Sequence, residues 1–190
     1  WINFGWRGMQ DKPVDRRRTL EFLERLGGCF RGPGVVELVG GSSLALVAAK
    51  ETTFDIDLRF EVAPEHHDEF IRCVRLVSRE LGLPIEQVSP EEFLPLPSGY
   101  RDRRQFIGRF GALEVFHFDF YSVALSKLQR GNEKDFADVL NMVRVGLIEP
   151  ERLEQFFGEV LPELEAHSLQ ADPEDFQRKY ALFKKRLREE

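Results

Sequence analysis

The stretch Val35–Phe60, VVELVGGSSLALVAAKETTFDIDLRF, decides the fold of this chain. Its apolar start, Val35–Val39, predicts a largely buried strand that stops at the turn Gly40-Gly41. A hydroxyl in the pair Ser42-Ser43 suits the N-cap of a following helix. In Phe54–Leu58 carboxylates alternate with large apolar residues, which predicts a second strand with one acidic face. The predicted order is therefore strand, glycine turn, helix and acidic strand.

Asp55 and Asp57 are the residues of this stretch that suit metal chemistry. Side chains two apart on a strand share a face, with Cα atoms roughly 7 Å apart. Two carboxylates so placed repel each other, and a divalent cation such as Mg²⁺ removes that repulsion. Upstream, the Gly40-Gly41 turn permits close backbone approach, and the start of the next helix offers N–H groups and the Ser42 hydroxyl to a phosphate. A metal beside a phosphate is what phosphoryl or nucleotidyl transfer needs.

Each motif also has a purely structural interpretation. The Asp-Ile-Asp triplet is typical of the solvent face of an edge strand, and Gly-Gly-Ser-Ser of a turn with a helix cap. Taken singly, each motif favours that interpretation. Together, about a dozen residues apart and in this order, the two motifs favour function.

Composition bounds the class of protein. With 190 residues, 42% of them hydrophobic, and 17 Phe, the chain has enough apolar surface for one well-packed domain, alone or with a helical extension. No apolar run approaches the roughly 20 residues that span a bilayer, and Trp1–Pro13 lacks the pattern of a signal peptide. Two cysteines are too few for a disulfide framework, so Cys73 is expected to be a buried free thiol. These features favour the cytoplasm and no membrane association.

The charge pattern limits nucleic-acid binding to a local surface. A net charge of -6 argues against a protein coated in nucleic acid, although it leaves room for a local basic groove. Arg101, Arg103, Arg104 and Arg109 lie just before and within an apolar strand region, which makes a phosphate-facing role plausible there.

Periodicity predicts the remaining elements. A helix over 20–26 ends at Gly27-Gly28, a longer amphipathic helix follows Pro64 and ends at Gly82, and 85–100 is a loop with one short extended piece. Two strands then form a hairpin, and helices follow to the end of the chain: strands 105–110 and 113–118, helices at about 120–130, 134–146, 150–158 and 173–188. The prediction is an α/β fold, with a mixed-sheet core over 16–145 and a helical C-terminal part over 146–190.

The order of motifs resembles the nucleotidyltransferase superfamily typified by DNA polymerase β. Its signature, a hydrophobic residue, G-[GS], then [DE]-h-[DE]-h on the next strand, maps onto Val39–Ser42 and Asp55–Leu58. The resemblance implies transfer of a nucleoside monophosphate from a nucleoside triphosphate to RNA, a protein or a small molecule. The residues it implies are the catalytic Mg²⁺ ligands Asp55 and Asp57, and the nucleotide contacts Gly40, Gly41 and Ser42.

The superfamily often carries a third carboxylate on a later strand, between two hydrophobic residues. Glu114 and Asp119 both have that setting. Asp119 is preferred as the third metal ligand because it ends its strand; its alternative role is to cap the next helix.

A second block, Asp119 followed by Ala124–Leu128 and Lys134-Asp135, resembles one in bacterial nucleotidyltransferase-like proteins, including partners in toxin–antitoxin and abortive-infection systems. The resemblance implies that Lys127 steadies the triphosphate and that Asp135 is a base or a metal partner. On a helical wheel Lys127 borders the apolar line, which supports this role. The alternative is that these are surface helix charges. The alternative function is a non-catalytic antitoxin or regulatory binding partner.

Overall fold

A computed structural model describes residues 2–3, 13–92, 94–167 and 172–189. Strands and helices alternate in the first part, and helices dominate from Phe120 onward. In chain order the elements are β1 (Ile2–Asn3), α1 (Arg16–Cys29), β2 (Gly34–Val39), α2 (Gly40–Leu46), β3 (Ile56–Val62), α3 (His67–Leu81), β4 (Ile85–Gln87), β5 (Gln105–Phe110), β6 (Leu113–His117), α4 (Phe120–Arg130), α5 (Glu133–Arg144), α6 (Pro150–His167) and α7 (Pro173–Glu189).

The described strands form one mixed sheet in the order β1-β4-β3-β2-β6-β5. β2 runs antiparallel to β3 and parallel to β6, β4 runs parallel to β3, and β5 pairs antiparallel with β6. The register sets Asp57 opposite Val39 on one side and opposite Glu86 on the other. Opposite residues share a face of the sheet, and we call this one the Asp57 face. The predicted α/β class with a mixed sheet is confirmed.

The other face of the sheet supplies the hydrophobic core together with α1 and α3. Its fully buried side chains include Leu38 and Leu58 from the sheet, Phe22 from α1 and Phe70 from α3. Burying one such side chain contributes roughly 1.5–3 kcal/mol. A register slip of one residue would turn Leu58 outward and Asp57 into the core, so this packing fixes which carboxylates reach the Asp57 face.

The contacts divide the chain into two compact units. The first contains the described residues up to Val88 together with Arg104–Phe118, and so holds the whole sheet with α1, α2 and α3. The second contains Ser89–Arg103 and the described residues from Asp119 onward, and so holds α4 to α7. The domain boundary between 145 and 146 that the sequence indicates stays a prediction.

Aromatic side chains form the interior of the second unit. Phe136, Phe176 and Phe183 are buried, and the rings of Phe157 and Tyr180 stack with centroids 3.9 Å apart. The helices begin and end within a few residues of their predicted bounds, except that α6 continues through Pro162 to His167. Among the described residues, every helix is too short or too polar to span a bilayer.

The predicted end of α1 is wrong. The helix does not stop at Gly27-Gly28 but runs through both glycines to Cys29. Gly27 has a packing role instead, because a Cβ atom there would collide with the backbone of Phe110. The glycine lets the helix approach the end of β5 closely, which sequence periodicity does not reveal.

The expectation of a free thiol is also wrong. Cys29 at the end of α1 and Cys73 in α3 form a disulfide, with Cα atoms 5.7 Å apart. Both cysteines belong to the packed region between the two helices and the sheet. Cysteine counting missed the bond because a pair distant in sequence is joined only by the packing of α1 on α3.

Removing this bond should lower stability. The two cysteines lie 44 residues apart, and closing a loop of that length stabilises a fold by about 2–4 kcal/mol in the chain-entropy account. We expect the double variant Cys29→Ser/Cys73→Ser to lose that much in free energy of unfolding, measured by urea denaturation without reductant. Dithiothreitol should bring the wild type to the same value and leave the variant unchanged. Equal stabilities of the oxidised wild type and the variant would contradict this.

Candidate metal and nucleotide site

Three carboxylates meet at the Asp57 face. Asp57 lies on β3, Glu86 lies opposite it on β4, and Asp55 directly precedes β3. One carboxylate oxygen from each residue lies within 4.8 Å of those of the other two. Asp55 is not part of the strand, contrary to the prediction, since β3 begins at Ile56. The local bend nevertheless brings its side chain to the same place.

The carboxylates of this acidic triad, Asp55, Asp57 and Glu86, are close enough to repel one another. Burial, followed by the negative charge of Asp55, raises the pKa of the Glu86 carboxyl above its ordinary value. All three donors are hard oxygen ligands, which divalent cations such as Mg²⁺ prefer. The residues present therefore fit a divalent cation, both in ligand chemistry and in charge.

The glycine turn lies directly against the triad. Gly40 has φ +69, and a Cβ atom built there would lie 2.5 Å from Oδ2 of Asp57. A Cβ atom on Gly41 would collide with the Thr53 hydroxyl, which donates a hydrogen bond to Oδ1 of Asp55 at 3.2 Å. Each glycine thus makes room for one side of the acidic site. The predicted contact of the turn with a phosphate stays a prediction.

Helix α2 begins earlier than predicted. Its first residue is Gly40 and its N-cap position is Val39, with no side-chain capping bond among the described residues. The expectation that Ser42 or Ser43 caps the helix is therefore wrong, and both serines lie inside it. The Ser42 hydroxyl is buried and has no hydrogen-bond partner within the described part of the chain. A buried polar atom of this kind costs free energy unless something satisfies it.

Ser43 has a different environment, because its hydroxyl lies 2.7 Å from Nδ1 of His117 on β6. Both side chains are buried. Burial, followed by the positive charge of Arg16, lowers the pKa of His117 to about 4. The imidazole is therefore neutral near pH 7, and it ties α2 to the strand beside β2.

The second predicted set, Lys127 and Asp135, lies in the second unit. Lys127 Nζ is 3.3 Å from Oδ1 of Asp135 and 2.7 Å from Oδ2 of Asp138. Asp135 also accepts hydrogen bonds from the side chains of Arg130 and Asn132. All three members of the lysine–aspartate cluster are buried. The alternative that they are surface helix charges is therefore wrong.

Asp119 is the N-cap of α4. Its carboxylate accepts from the backbone N–H groups of Tyr121 and Ser122 and from the Ser122 hydroxyl. It also accepts two hydrogen bonds of 2.9 Å from the Arg103 guanidinium. These contacts show the helix-capping role that the sequence offered as the alternative to a metal-binding role for Asp119. Glu114, the other candidate third carboxylate, forms an ion pair with Arg109 at the surface.

Glu86 is the member of the triad that sequence reasoning missed. It follows Pro84-Ile85 in the segment read as a loop, and Gln87 behind it breaks the expected hydrophobic–acid–hydrophobic pattern. The short extended piece predicted somewhere in 85–100 is real, since it is β4. The strand pairs in parallel with β3, and this pairing aligns Glu86 with Asp57. No sequence pattern near Glu86 indicates that pairing.

The predicted site residues thus form two groups. Gly40, Gly41, Asp55 and Asp57 come together in the first unit, with Ser42 one residue beyond the turn. Lys127 and Asp135 come together in the second unit, to which Asp119 also belongs.

A sequence model of one protein family matches residues 32–188, and its description is a nucleotidyltransferase of unknown function (DUF6036). The chain belongs to this nucleotidyltransferase family. The matched range includes the glycine turn, the acidic triad and the helices of the second unit. The superfamily indicated by the motifs is thereby confirmed. No curated protein and no solved structure gives a significant match.

The glycine turn of this chain should not tolerate a side chain. We expect Gly40→Ala to lower the free energy of unfolding by about 1–2 kcal/mol, because a left-handed backbone strains any residue with a Cβ atom. Urea denaturation measures the change. Gly28→Ala is the matched control: this helical glycine has nothing within 4 Å of an added Cβ, so the change should raise stability by about 0.5–1 kcal/mol. Equal effects of the two substitutions would contradict the role given to Gly40.

His117 should make folding sensitive to mild acid. A folded-state pKa of about 4 lies below the ordinary 6.5, so the unfolded chain binds a proton first as pH falls. The neutral imidazole therefore contributes stability that is complete above pH 6.5 and is lost as pH falls towards 4, up to about 3 kcal/mol. We expect His117→Gln to remove that part of the pH dependence, measured by denaturation at several pH values between 7 and 4. Parallel curves for wild type and variant would contradict this.

Proposed function

We propose that this chain is a metal-dependent nucleotidyltransferase, which moves a nucleoside monophosphate from a nucleoside triphosphate to an acceptor. The observation that carries the proposal is the convergence of Asp55, Asp57 and Glu86 beside the Gly40-Gly41 turn. Membership of a nucleotidyltransferase family supports it. Catalysis of phosphoryl-type transfer consists mostly of positioning the substrates and neutralising charge. The glycine turn and the acidic triad together offer residues for both.

The triad is the proposed metal site, and Mg²⁺ is the proposed ion. When bound, Mg²⁺ supplies charge neutralisation to the phosphate oxygens and to the carboxylates that hold it. We assign the third ligand to Glu86 in preference to Asp119. The oxygens of Asp119 already accept hydrogen bonds from the Arg103 guanidinium, from Ser122 and from Tyr121. Glu86, in contrast, lies within the cluster of carboxylate oxygens.

The proposed phosphate contacts are Gly40, Gly41 and Ser42. Gly40 leaves no side chain between the backbone of the turn and the Asp57 carboxylate, and Gly41 lies against Thr53, which bonds Asp55. The buried Ser42 hydroxyl, without a partner among the described residues, is a polar group that a phosphate oxygen would satisfy. In the proposed reaction an acceptor oxygen bonds to the α-phosphorus while the bond from that phosphorus to pyrophosphate breaks. The acceptor loses its proton, and pyrophosphate leaves.

Lys127 and Asp135 are proposed helpers of the same reaction, on the strength of the resemblance. Lys127 would steady the triphosphate, and Asp135 would act as a base or a metal partner. Their ion pair with each other fixes both side chains in the second unit. Asp138 competes for the same ammonium group at the shorter distance of 2.7 Å.

That competition favours a second candidate function. A lysine that is neutralised by two aspartates attracts a triphosphate less strongly. This is expected of a protein that has kept the nucleotidyltransferase fold but binds a partner without catalysing transfer. In that case the chain is a non-catalytic partner, such as the antitoxin or regulatory protein of a toxin–antitoxin pair.

A cytoplasmic location is the prediction from composition. The Cys29–Cys73 disulfide weighs against it, because such bonds are rare where glutathione keeps thiols reduced.

The metal assignment predicts which carboxylates matter for nucleotide binding. We expect Asp57→Asn and Glu86→Gln to weaken Mg²⁺-dependent binding of nucleoside triphosphates at least about tenfold, measured by calorimetry with each of the four common nucleotides. Asp119→Asn should keep that binding and lose stability, since an amide in place of the carboxylate cannot accept both hydrogen bonds of the Arg103 guanidinium. Asp68→Asn, on an exposed carboxylate of α3, is the control. Unchanged binding in the Asp57 and Glu86 variants would overturn the site.

A second measurement separates the two candidate functions. Purified chain is incubated with α-labelled nucleoside triphosphates, Mg²⁺ and total RNA or protein. Label transfer that disappears in Asp57→Asn supports the enzyme. Nucleotide binding without transfer to any acceptor supports the non-catalytic partner.

A further inference from the structure

The Asp57 face carries a second group of side chains beyond the acidic triad. Strand alternation places Arg59 on the same face as Asp57, and the register sets Arg59 opposite Glu37 and Glu37 opposite Phe116. Phe116 is in turn opposite Phe106 on β5. One row of side chains therefore crosses four strands from β3 to β5, adjacent to the row that holds Asp57 and Glu86. All of these residues belong to the first unit.

Glu37 lies at the centre of this row and is only 1% exposed. One of its oxygens lies 2.5 Å from Arg59 and the other lies 3.1 Å from Arg104. A buried carboxylate is costly unless it is paired, so Glu37 holds both guanidinium groups tightly. Arg104 is further fixed over the Phe116 ring, 5.0 Å from its centroid. It keeps 27% of its side chain exposed.

Phe106 stands at the outer end of the row. It packs against Phe116 with ring centroids 5.3 Å apart, yet 58% of it is exposed. Exposing a large aromatic side chain to water is unfavourable. The contact with Phe116 holds the Phe106 ring in place on the sheet. An exposed aromatic ring on a sheet, next to a fixed guanidinium, is the arrangement by which sheet proteins stack a base and meet its phosphate.

We propose that this row, Phe106, Phe116, Arg104, Glu37 and Arg59, is the acceptor site, and that the acceptor is a single-stranded nucleic acid. A base stacks on Phe106, and Arg104 meets an adjacent phosphate. This assignment deepens the proposed transferase function and rests on it. Three strand spacings of about 4.8 Å separate β5 from β3, roughly 14 Å in all. A strand of a few nucleotides therefore reaches from Phe106 to the triad along one face.

The charges of the face indicate how such a strand would be held. Apart from the triad, the ion pairs described on this face contain equal numbers of positive and negative side chains. The positive ones are Arg59, Arg104 and Arg109, and the negative ones are Glu37, Glu61 and Glu114. Binding therefore depends on stacking more than on net positive charge, in keeping with a chain of net charge -6. Salt should weaken it only slightly, because few counterions are released.

The test uses the full chain and a fluorescein-labelled single-stranded RNA oligonucleotide of twelve or so bases, with fluorescence anisotropy as the readout. We expect Phe106→Ala to weaken binding at least about fivefold, the effect of losing one stacked base. Phe106→Trp should restore it. Arg104→Gln should weaken binding and reduce the salt slope by about 0.7; its unfolding curve is recorded, because it also leaves Glu37 with one partner fewer. Leu76→Ala and Arg72→Gln on α3 are the apolar and basic controls.

Nucleotide binding, measured in parallel, keeps the two proposals separable. Phe106→Ala should bind Mg²⁺–nucleoside triphosphate like the wild type, whereas Asp57→Asn should lose the nucleotide and keep the RNA. Loss of nucleotide binding in Phe106→Ala would mean that the ring serves the nucleotide and would overturn the acceptor assignment. So would RNA binding that Phe106→Ala leaves intact, no RNA binding at all, or a dimer that Phe106→Ala converts to a monomer in sedimentation.

Discussion

The contact between the Gly40 backbone and the Asp57 carboxylate is the constraint on which this fold depends. A strand ends, turns with a positive φ and starts a helix in a space that has no room for a Cβ atom. The pairing of Val39 with Asp57 sets that approach, and the pairing of Asp57 with Glu86 extends it to a third strand. The packing of Leu38 and Leu58 on the opposite face holds this register. Hydrophobic burial on one side of the sheet therefore fixes the acidic cluster on the other.

The sequence was sufficient for the parts of this arrangement that are local. The glycine turn, the Asp55–Asp57 pair, the hairpin of β5 and β6 and the α4 helix all follow from patterns within a few residues. The position of Glu86 in the site could not be predicted from the sequence. Glu86 reaches the site only because β4 pairs in parallel with β3, and pairing between distant strands produces no periodic pattern in the sequence. The Cys29–Cys73 bond was missed for the same reason. Helix ends were misjudged at Gly27 and at Ser42, where close packing outweighed the usual preferences for terminators and caps.

Buried charge distinguishes the two units from an ordinary small domain. Glu37 lies between two arginines, and Lys127 lies between two aspartates. Removing one partner from such a cluster typically costs about 3–5 kcal/mol, although the intact cluster adds little net stability. These clusters therefore contribute more to the orientation of side chains than to the free energy of unfolding. Each one fixes the direction of a cationic side chain that a hydrophobic contact would leave free to rotate. Arg104 and Lys127 are the cations whose direction matters most for the proposed chemistry.

The path of the chain between the two units has a practical consequence. The backbone passes from the first unit to the second after Val88, returns at Arg104 and leaves again after Phe118. Three crossings mean that no single cut releases either unit as a continuous polypeptide. A gene truncated near residue 145 would keep the sheet but lose α6 and α7, and with them part of the second unit's aromatic interior. Exchange of one unit between homologous genes would need three matched breakpoints, so the pair is expected to be inherited together.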